Sequence, residues 1–364
     1  MAQSPAVQSL ARRLEHGGVL SGGGIGVGIC QAAQPFFAVL LQKIFPRRPL
    51  VIVAPDLKTQ ESFQQDIETW LQIESKIQSA QLKDNNFKIA SPNCQLQFYP
   101  AWEVLPHEGK LPHADIISDR LQTLVGLSTL SPQRSTLIVT SVTALLQKTY
   151  PPGEIQNRTR ILQRGDKINP LDLIEWLEEQ GYEPEAQVTK RGEIALRGGI
   201  LDIWPLTSPW PVRLEFFGDE LESLRHFDPL TQISRGEITE ATITPGGELG
   251  ILKSKIRSSE PETIGLAILP DHLPPQAIFL LCEPEQLAAH ANDYETQIPA
   301  NDPFFITWNE FFSELKRRGF TSVELIEEAD TSGANLEFRS LDAFRPLAQR
   351  APELQIAEAQ RREF

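Results

Sequence analysis

The sequence predicts an α/β fold, in which a parallel sheet is joined to a small α+β domain and followed by a further α/β segment. Three observations predict this fold. Strand-like runs alternate with helix-like stretches over residues 1–152, which is typical of an open parallel sheet covered on both faces. A breaker cluster at residues 150–153 ends the alternation, which returns after residues 245–247. The 364 residues are also enough for two or three domains.

The first domain is predicted over residues 1–152 from the order of its elements. Residues 19–21 lead as a strand into a glycine-rich turn at 22–28, and a helix is predicted over 29–44. Three later runs are typical of strands, and apolar side chains at helical spacing predict three more helices. These strands lie at residues 50–53, 95–99 and 137–139, and the helices at 63–71, at 117–125 and from 142. We expect residues 244–250 to complete this domain.

A compact α+β domain is predicted over residues 153–243. An Asn-Pro pair at 169–170 opens a helix, with asparagine as N-cap and proline in the first turn, and Gly181 ends it. Short apolar runs then predict strands, with turns at residues 218–219 and 228–229. This domain is inserted into the first one or appended to it.

Residues 251–364 predict a second α/β segment. Its expected elements are a strand at 278–282, a helix at 284–294, a helix carrying Phe311, Leu315 and Phe320, and strands at 323–326 and 336–338. A final helix over 352–364 runs to the last residue without a stop signal. We therefore expect this segment to be truncated and the chain to be the N-terminal part of a longer protein.

Composition excludes several classes of function. There are 34 basic and 48 acidic residues, and the net charge of −14 repels phosphate backbones, which argues against a stand-alone nucleic-acid binder. Cys30, Cys94 and Cys282 are too far apart for a disulfide framework or a CxxC metal site. The sequence has neither a secretory leader nor an apolar stretch of the ~20 residues that a membrane span needs. We expect a cytoplasmic protein.

The glycine-rich turn is the candidate phosphate-binding loop, but its chemistry is degenerate. Gly23 and Gly28 have the separation of the two glycines in G-x-x-x-x-G-K-[ST]. Ile29 and Cys30 replace the lysine and the Ser/Thr, and they can neither neutralise phosphate nor ligate magnesium. Two interpretations remain open, a tight turn that only begins a helix and a weak, atypical nucleotide site. The sequence predicts no catalytic residue, no cofactor site and no metal site.

The segment at residues 192–228 carries the ingredients of a protein-binding hot spot. Arg197 precedes a Gly-Gly turn, and Arg213 lies on a predicted strand. Phe216 and Phe217 are adjacent, so on a strand they point to opposite faces, and one must be exposed or covered. An arginine and an exposed aromatic side chain favour protein binding. The other interpretation buries both phenylalanines and pairs the arginines locally with Glu193, Glu215 or Asp219.

The same segment resembles the UvrB-like module at the N-terminus of bacterial transcription-repair coupling factors, the Mfd family. The resemblance covers residues 20–245. It is close at residues 191–193, 197–203 and 213–225, and it continues upstream at 53–56, 105–106 and 115–121. UvrB itself shares part of these segments but has an intact P-loop and an aromatic hairpin that threads DNA. This sequence has neither, which favours the coupling factors.

The resemblance implies a degenerate RecA- or helicase-like sheet and a non-catalytic role. In this family the second domain binds UvrA, and the matching positions are Arg197, Arg213 and Phe217. The motor with its ATP and Mg²⁺ lies in other domains, through which RNA polymerase and DNA are bound. The expected partners are therefore UvrA and, within the longer protein, the motor and C-terminal domains. The alternative is an atypical nucleotide-binding or NTP-hydrolysing protein of the UvrB/helicase class.

Overall fold

The computed structural model describes residues 5–15, 25–81, 94–128, 135–249, 252, 265–327 and 334–335. The helices are α1 (Pro5–Glu15), α2 (Gln34–Ile44), α3 (Leu57–Gln81), α4 (Ala114–Ser128), α5 (Val142–Leu146), α6 (Pro152–Asn157), α7 (Pro170–Glu179), α8 (Pro284–Glu295) and α9 (Trp308–Arg317). The strands are β1 (Ile25–Gly28), β2 (Leu50–Ala54), β3 (Cys94–Tyr99), β4 (Ser135–Ser141), β5 (Arg160–Gln163), β6 (Glu183–Pro184), β7 (Glu193–Arg197), β8 (Ile200–Ile203), β9 (Val212–Phe217), β10 (Glu220–Phe227), β11 (Ser234–Glu237), β12 (Glu240–Ile243), β13 (Ile278–Cys282), β14 (Thr321–Ile326) and β15 (Ala334–Asn335).

A sheet of parallel strands in the order β15-β1-β14-β13-β2-β4-β3 forms the larger part of the fold. Every residue of β2 is buried, and its side chains alternate between two cores. Val51 and Val53 enter the core formed with α4, α5, α8 and α9. Leu50 and Ile52 enter the core formed with α1, α2 and α3. The predicted parallel sheet with helices on both faces is confirmed.

The first strand lies later in the chain than predicted. β1 occupies part of the segment predicted as a glycine-rich turn, and the strand predicted at 19–21 lies outside the described residues. A 3-10 helix at Gln31–Ala33 and then α2 follow β1 closely. Ile25 and Val27 alternate with glycines and are both buried in the core. Their burial explains the difference, because an apolar period of two is satisfied by a strand rather than by a turn.

The last part of the chain completes the first sheet. β14 pairs with β1, and β13 lies between β14 and β2, all in parallel. The prediction of a separate α/β segment at 251–364 therefore differs from the structure, because its two described long strands are central in the first sheet. Phe320 follows α9 instead of lying in it. The elements predicted at 336–338 and 352–364 are not covered by the described residues.

Between β4 and β13 the chain forms a second sheet of six strands in the order β11-β10-β9-β8-β7-β6. Its neighbouring strands are antiparallel except for β6 and β7. A separate ladder joins β5 to β12. Leu173 and Leu177 of α7 share a core with Leu201 and Leu214 of the sheet. The predicted α+β domain is confirmed, and because the chain returns to the first sheet after it, it is inserted and not appended; we refer to it as the inserted domain.

Local signals define the ends of these elements. The Asn169 side chain accepts a hydrogen bond of 2.9 Å from the amide of Leu171 and caps α7, as predicted. Gly181 follows the helix with a φ of 87°, a conformation that favours glycine. Gly198 and Gly218 have φ values of 61° and 60° in the tight turns after β7 and β9. Two hairpins therefore fix the register of the central strands of the inserted domain.

A buried ion pair holds the segment that follows the inserted domain against the larger core. Arg120 of α4 is fully buried, and its Nε and Nη2 lie 2.8 and 3.1 Å from the two carboxylate oxygens of Glu248. Glu248 lies beyond β12, where the chain leaves the inserted domain. The guanidinium carbon lies 4.4 Å from the ring centroid of Tyr99 and 4.6 Å from that of Trp102. The exit of the inserted domain is thus held against the larger core.

Candidate partner-binding surface

The side of the six-stranded sheet opposite α7 is the candidate surface, and we refer to it as the outer face. The register places Arg197 beside Ile200 and Ile200 beside Glu215, across β7, β8 and β9. Because side chains alternate along a strand, Arg213 and Phe217 lie on the same face as Glu215. The outer face comprises Arg197, Ile200, Asp202, Arg213, Glu215, Phe217, Ser223 and Arg225. The three residues predicted as partner contacts therefore share one face.

Phe217 is the exposed member of the phenylalanine pair. It ends β9, just before the Gly218 turn, and 77% of its surface is accessible. Phe216 points to the opposite side and packs against the core under α7. An aromatic ring held at the end of a hairpin strand is a large apolar contact whose position is already fixed.

Arg197 is the exposed arginine of the outer face. Its Nε and Nη2 donate hydrogen bonds of 3.2 and 2.8 Å to the carbonyl oxygen of Ala186. The expected partner Glu193 is instead buried and accepts hydrogen bonds from the amides of Thr189 and Lys190. Among the described residues, no carboxylate forms an ion pair with Arg197, so its positive charge is available to a partner.

Arg213 differs from the predicted exposed contact. Its Nε and Nη2 form two hydrogen bonds of 2.7 and 2.8 Å with the carboxylate of Asp202, and they raise the pKa of Arg213. Its Nη1 also donates to the carbonyl oxygen of Gln232 at 3.2 Å. Only 16% of its side chain is exposed. Local pairing therefore occurs, but with Asp202, which faces Arg213 across β8 and β9, and not with the acids named from the sequence.

Residues that were not predicted as partner contacts complete the outer face. Glu215 accepts hydrogen bonds from Ser223 Oγ at 2.7 Å and from Arg225 Nη2 at 2.5 Å. Ile200 lies beside Glu215 and is 37% exposed. The two turn glycines, taken together with strand alternation, would have identified these positions, because they fix which residues lie opposite one another. The outer face thus combines apolar side chains, two neutralised ion pairs, Arg213–Asp202 and Arg225–Glu215, and the unneutralised Arg197.

The carboxyl end of β1 is where a phosphate-binding loop would lie in a sheet of this kind. Gly23 lies outside the described residues, and Gly28 ends β1. The connection from β1 to α2 contains no glycine, because it consists of Ile29 to Ala33. Gln34, the first residue of α2, is fully buried and donates a 2.7 Å hydrogen bond to Glu283. A carboxylate at this position opposes phosphate binding.

Possible metal sites and membrane-spanning helices were sought among the described residues. Within the described ranges, no group of three or more His, Cys, Asp and Glu side chains is placed to hold a metal ion. None of the helices in that same part of the chain has the length and apolarity needed to cross a bilayer.

The fold and the outer face define an α/β chain that carries an inserted interaction domain. A family model described as the UvrB interaction domain matches residues 161–249, which include the entire outer face. The chain is homologous to transcription-repair-coupling factors and contains this UvrB interaction domain.

Relatives with this name occur in several bacteria. The chain is 37% identical to that of Escherichia coli over 175 residues, 47% of this chain and 15% of the relative. It is 35% identical to that of Bacillus subtilis over 171 residues, 46% of this chain and 14% of the relative. It is 33% identical to that of Mycobacterium tuberculosis over 242 residues, 53% of this chain and 19% of the relative. The matched part therefore covers less than a fifth of the length of these relatives.

Proposed function

We propose that this chain is the UvrB-like module of a transcription-repair coupling factor, and that its inserted domain recruits UvrA to RNA polymerase stalled at a lesion. The observation that carries the proposal is the pairing of an exposed Phe217 with the unneutralised Arg197 on the outer face. That face lies entirely within the segment matched as a UvrB interaction domain.

The contacts with UvrA follow from the chemistry of these two side chains. Phe217 inserts its ring into an apolar recess of UvrA. Full burial of the ring stabilises the complex by about 1.5–3 kcal/mol. Arg197 donates charge-assisted hydrogen bonds to a carboxylate of UvrA. Arg213 acts as a positioning residue, because its bonds to Asp202 and to Gln232 hold β9 and the loop after β10 in place.

In the longer protein, the catalytic and nucleic-acid-binding functions belong to domains other than this module. The motor, with ATP and Mg²⁺, and the contacts with RNA polymerase and DNA belong to the remaining domains, and the module contacts the motor and C-terminal domains within the chain. The module itself is non-catalytic and cytoplasmic. The carboxylate of Glu283 beside the start of α2 supports the absence of nucleotide chemistry at this position.

Binding of purified UvrA to this chain tests the proposal. We expect Phe217→Ala and Arg197→Glu each to weaken the affinity about tenfold or more, as loss of a central contact does. The melting temperature should remain unchanged, because both side chains are exposed. Leu111→Ala and Arg47→Glu are the matched controls, since both residues are exposed on the larger domain and lie away from the outer face.

Two outcomes would contradict the proposal. The first is that the unmodified chain fails to bind UvrA in an assay that detects micromolar affinity. The second is that Phe217→Ala and Arg197→Glu bind as tightly as the two control variants. Circular dichroism of each variant separates a loss of binding from a loss of fold.

A further inference from the structure

The loop between β10 and β11, residues 228–233, presents two aliphatic side chains to solvent. Leu230 is 91% exposed and Ile233 is 67% exposed, while Phe217 is 77% exposed. These are the three most exposed large apolar side chains in the described part of the chain. Exposing them costs free energy that burial against a partner would recover.

Hydrogen bonds hold this loop in one conformation. Asp228 Oδ1 accepts from the amides of Leu230 and Thr231 at 3.0 and 3.1 Å. The amide of Gln232 donates to the carbonyl oxygen of Asp228 at 2.7 Å, and that of Asp228 donates to the carbonyl oxygen of Ile233 at 3.0 Å. The two aliphatic side chains are therefore presented by an ordered loop, which lowers the entropy cost of binding.

The loop borders the outer face. The carbonyl oxygen of Gln232 accepts the hydrogen bond from Arg213, and the side-chain amide of Gln232 donates to the carbonyl oxygen of Val188 at 3.1 Å. Arg213 precedes Phe217 by four residues on β9, which corresponds to ~13 Å along the strand. Phe217 and the loop thus lie towards opposite ends of the β9–β10 pair, and the loop borders the outer face.

The area that a stable interface buries indicates that the partner contacts both Phe217 and the loop. A buried phenylalanine contributes about 150–250 Å², whereas a stable interface buries about 800 Å² on each partner. Phe217 and Arg197 alone are therefore too small to hold a partner. The exposed apolar surface near the outer face continues at Leu230 and Ile233.

We propose that Leu230 and Ile233 form a second apolar contact for the same partner that binds Phe217, so that recognition takes place at two points. This inference rests on the proposed function and specifies the partner. Its surface has two separate apolar recesses, with a carboxylate for Arg197 between or beside them. A second copy of this chain is disfavoured, because two molecules with a net charge of −14 repel each other.

The variant Leu230→Ser/Ile233→Ser tests this inference in the assay with UvrA. We expect about tenfold weaker binding, mainly through faster dissociation, with an unchanged melting temperature. Ile161→Ser is the matched control, since Ile161 is 58% exposed in the same domain but lies on the separate β5–β12 ladder. Hydroxyl-radical footprinting of the unmodified chain adds a measurement that does not depend on any substitution. Oxidation of Leu230 and Ile233 should decrease when UvrA is bound.

The outcomes separate this inference from the function on which it rests. If Phe217→Ala weakens binding while Leu230→Ser/Ile233→Ser and the footprint show no effect, the second contact is refuted and the proposed function stands. If the unmodified chain does not bind UvrA, the proposed function itself fails. The double variant could instead leave the affinity for UvrA unchanged and abolish self-association of the chain, measured by analytical ultracentrifugation. The loop would then bind a second copy of the chain, and the inference would be overturned.

Discussion

Arg197 and Arg213 were predicted to have the same role, but their environments differ. Arg197 ends its strand opposite the apolar Ile200, so no acid lies directly across from it. Arg213 lies opposite Asp202, and the two side chains form two hydrogen bonds on a partly covered part of the sheet. The cross-strand neighbour therefore decides which arginine is available for binding.

The Arg213→Ala variant is expected to be less stable than the unmodified chain, contrary to the unchanged melting temperature that an exposed contact residue would give. The substitution leaves the Asp202 carboxylate, which is 3% exposed, without its partner. We expect the free energy of unfolding to fall by about 1–3 kcal/mol, measured by urea denaturation. Arg197→Ala serves as the control and should change stability little.

A different result would reassign Arg213. If Arg213→Ala retains full stability and loses affinity for UvrA, this arginine contacts the partner directly. If it loses stability and affinity together, it is a positioning residue, as the ion pair with Asp202 indicates; if it loses stability alone, its role is only structural.

At the scale of single elements, the hairpin from β8 to β9 depends on a close approach of two backbones. A Cβ atom at Gly199 would lie 2.9 Å from the carbonyl oxygen of Phe216. The amide of Phe216 also donates a 2.8 Å hydrogen bond to the carbonyl oxygen of Gly199. No side chain fits at this position unless the strand that carries Phe217 moves.

Gly199→Ala should therefore destabilise the inserted domain by about 1–3 kcal/mol, a cost typical of overpacking against atoms that cannot relax. Thermal unfolding followed by circular dichroism measures the change. Gly109→Ala is the control, since a Cβ atom at Gly109 would have no neighbour within 4 Å. Equal melting temperatures for the two variants would show that β8 and β9 can separate without cost.

Elements that local sequence signals define were predicted correctly, whereas those that depend on long-range pairing were not. The wholly apolar runs of β2, β4 and β13 and the Asn169 cap of α7 are local signals, and the structure confirms them. The strand β1 was missed because its alternating glycines are typical of a turn. The pairing of β1 with β14 joins residues as distant as Ile25 and Val323, and no local pattern records such a contact.

The candidate site could be predicted only in part for the same reason. The residue types of the outer face pointed to protein binding, and the family resemblance selected Arg197, Arg213 and Phe217. The pairing of Arg213 with Asp202 and the exposure of Leu230 depend on strand register and on a folded loop. These properties follow only from three-dimensional structure.

At the scale of the whole molecule, the buried Arg120–Glu248 pair fixes the segment by which the chain returns from the inserted domain to the parallel-sheet domain. Thr149 Oγ1 donates a further 2.7 Å hydrogen bond to Glu248, and the indole nitrogen of Trp102 donates one of 3.0 Å. The Glu248 carboxylate thus organises α4, the end of the first part of the sheet and the exit of the inserted domain.

Glu248→Gln should lower the free energy of unfolding by about 3–5 kcal/mol, because the Arg120 guanidinium stays buried without a counter-charge. Urea denaturation measures this change, and limited proteolysis should show faster cleavage near residues 244–249. Glu61→Gln, an exposed glutamate on α3, is the control. Unchanged stability of Glu248→Gln would show that the pair contributes little to the connection between the domains.

The topology of the parallel sheet also has a consequence for biosynthesis. β1 emerges early from the ribosome, yet its neighbours β14 and β15 are made only after residue 320. The inserted domain is formed by one continuous segment of the chain and has its own core. It can therefore fold before the strands that pair with β1 have been synthesised. A chaperone that protects nascent chains would thus meet an unpaired amino-terminal strand beside a finished UvrB interaction domain.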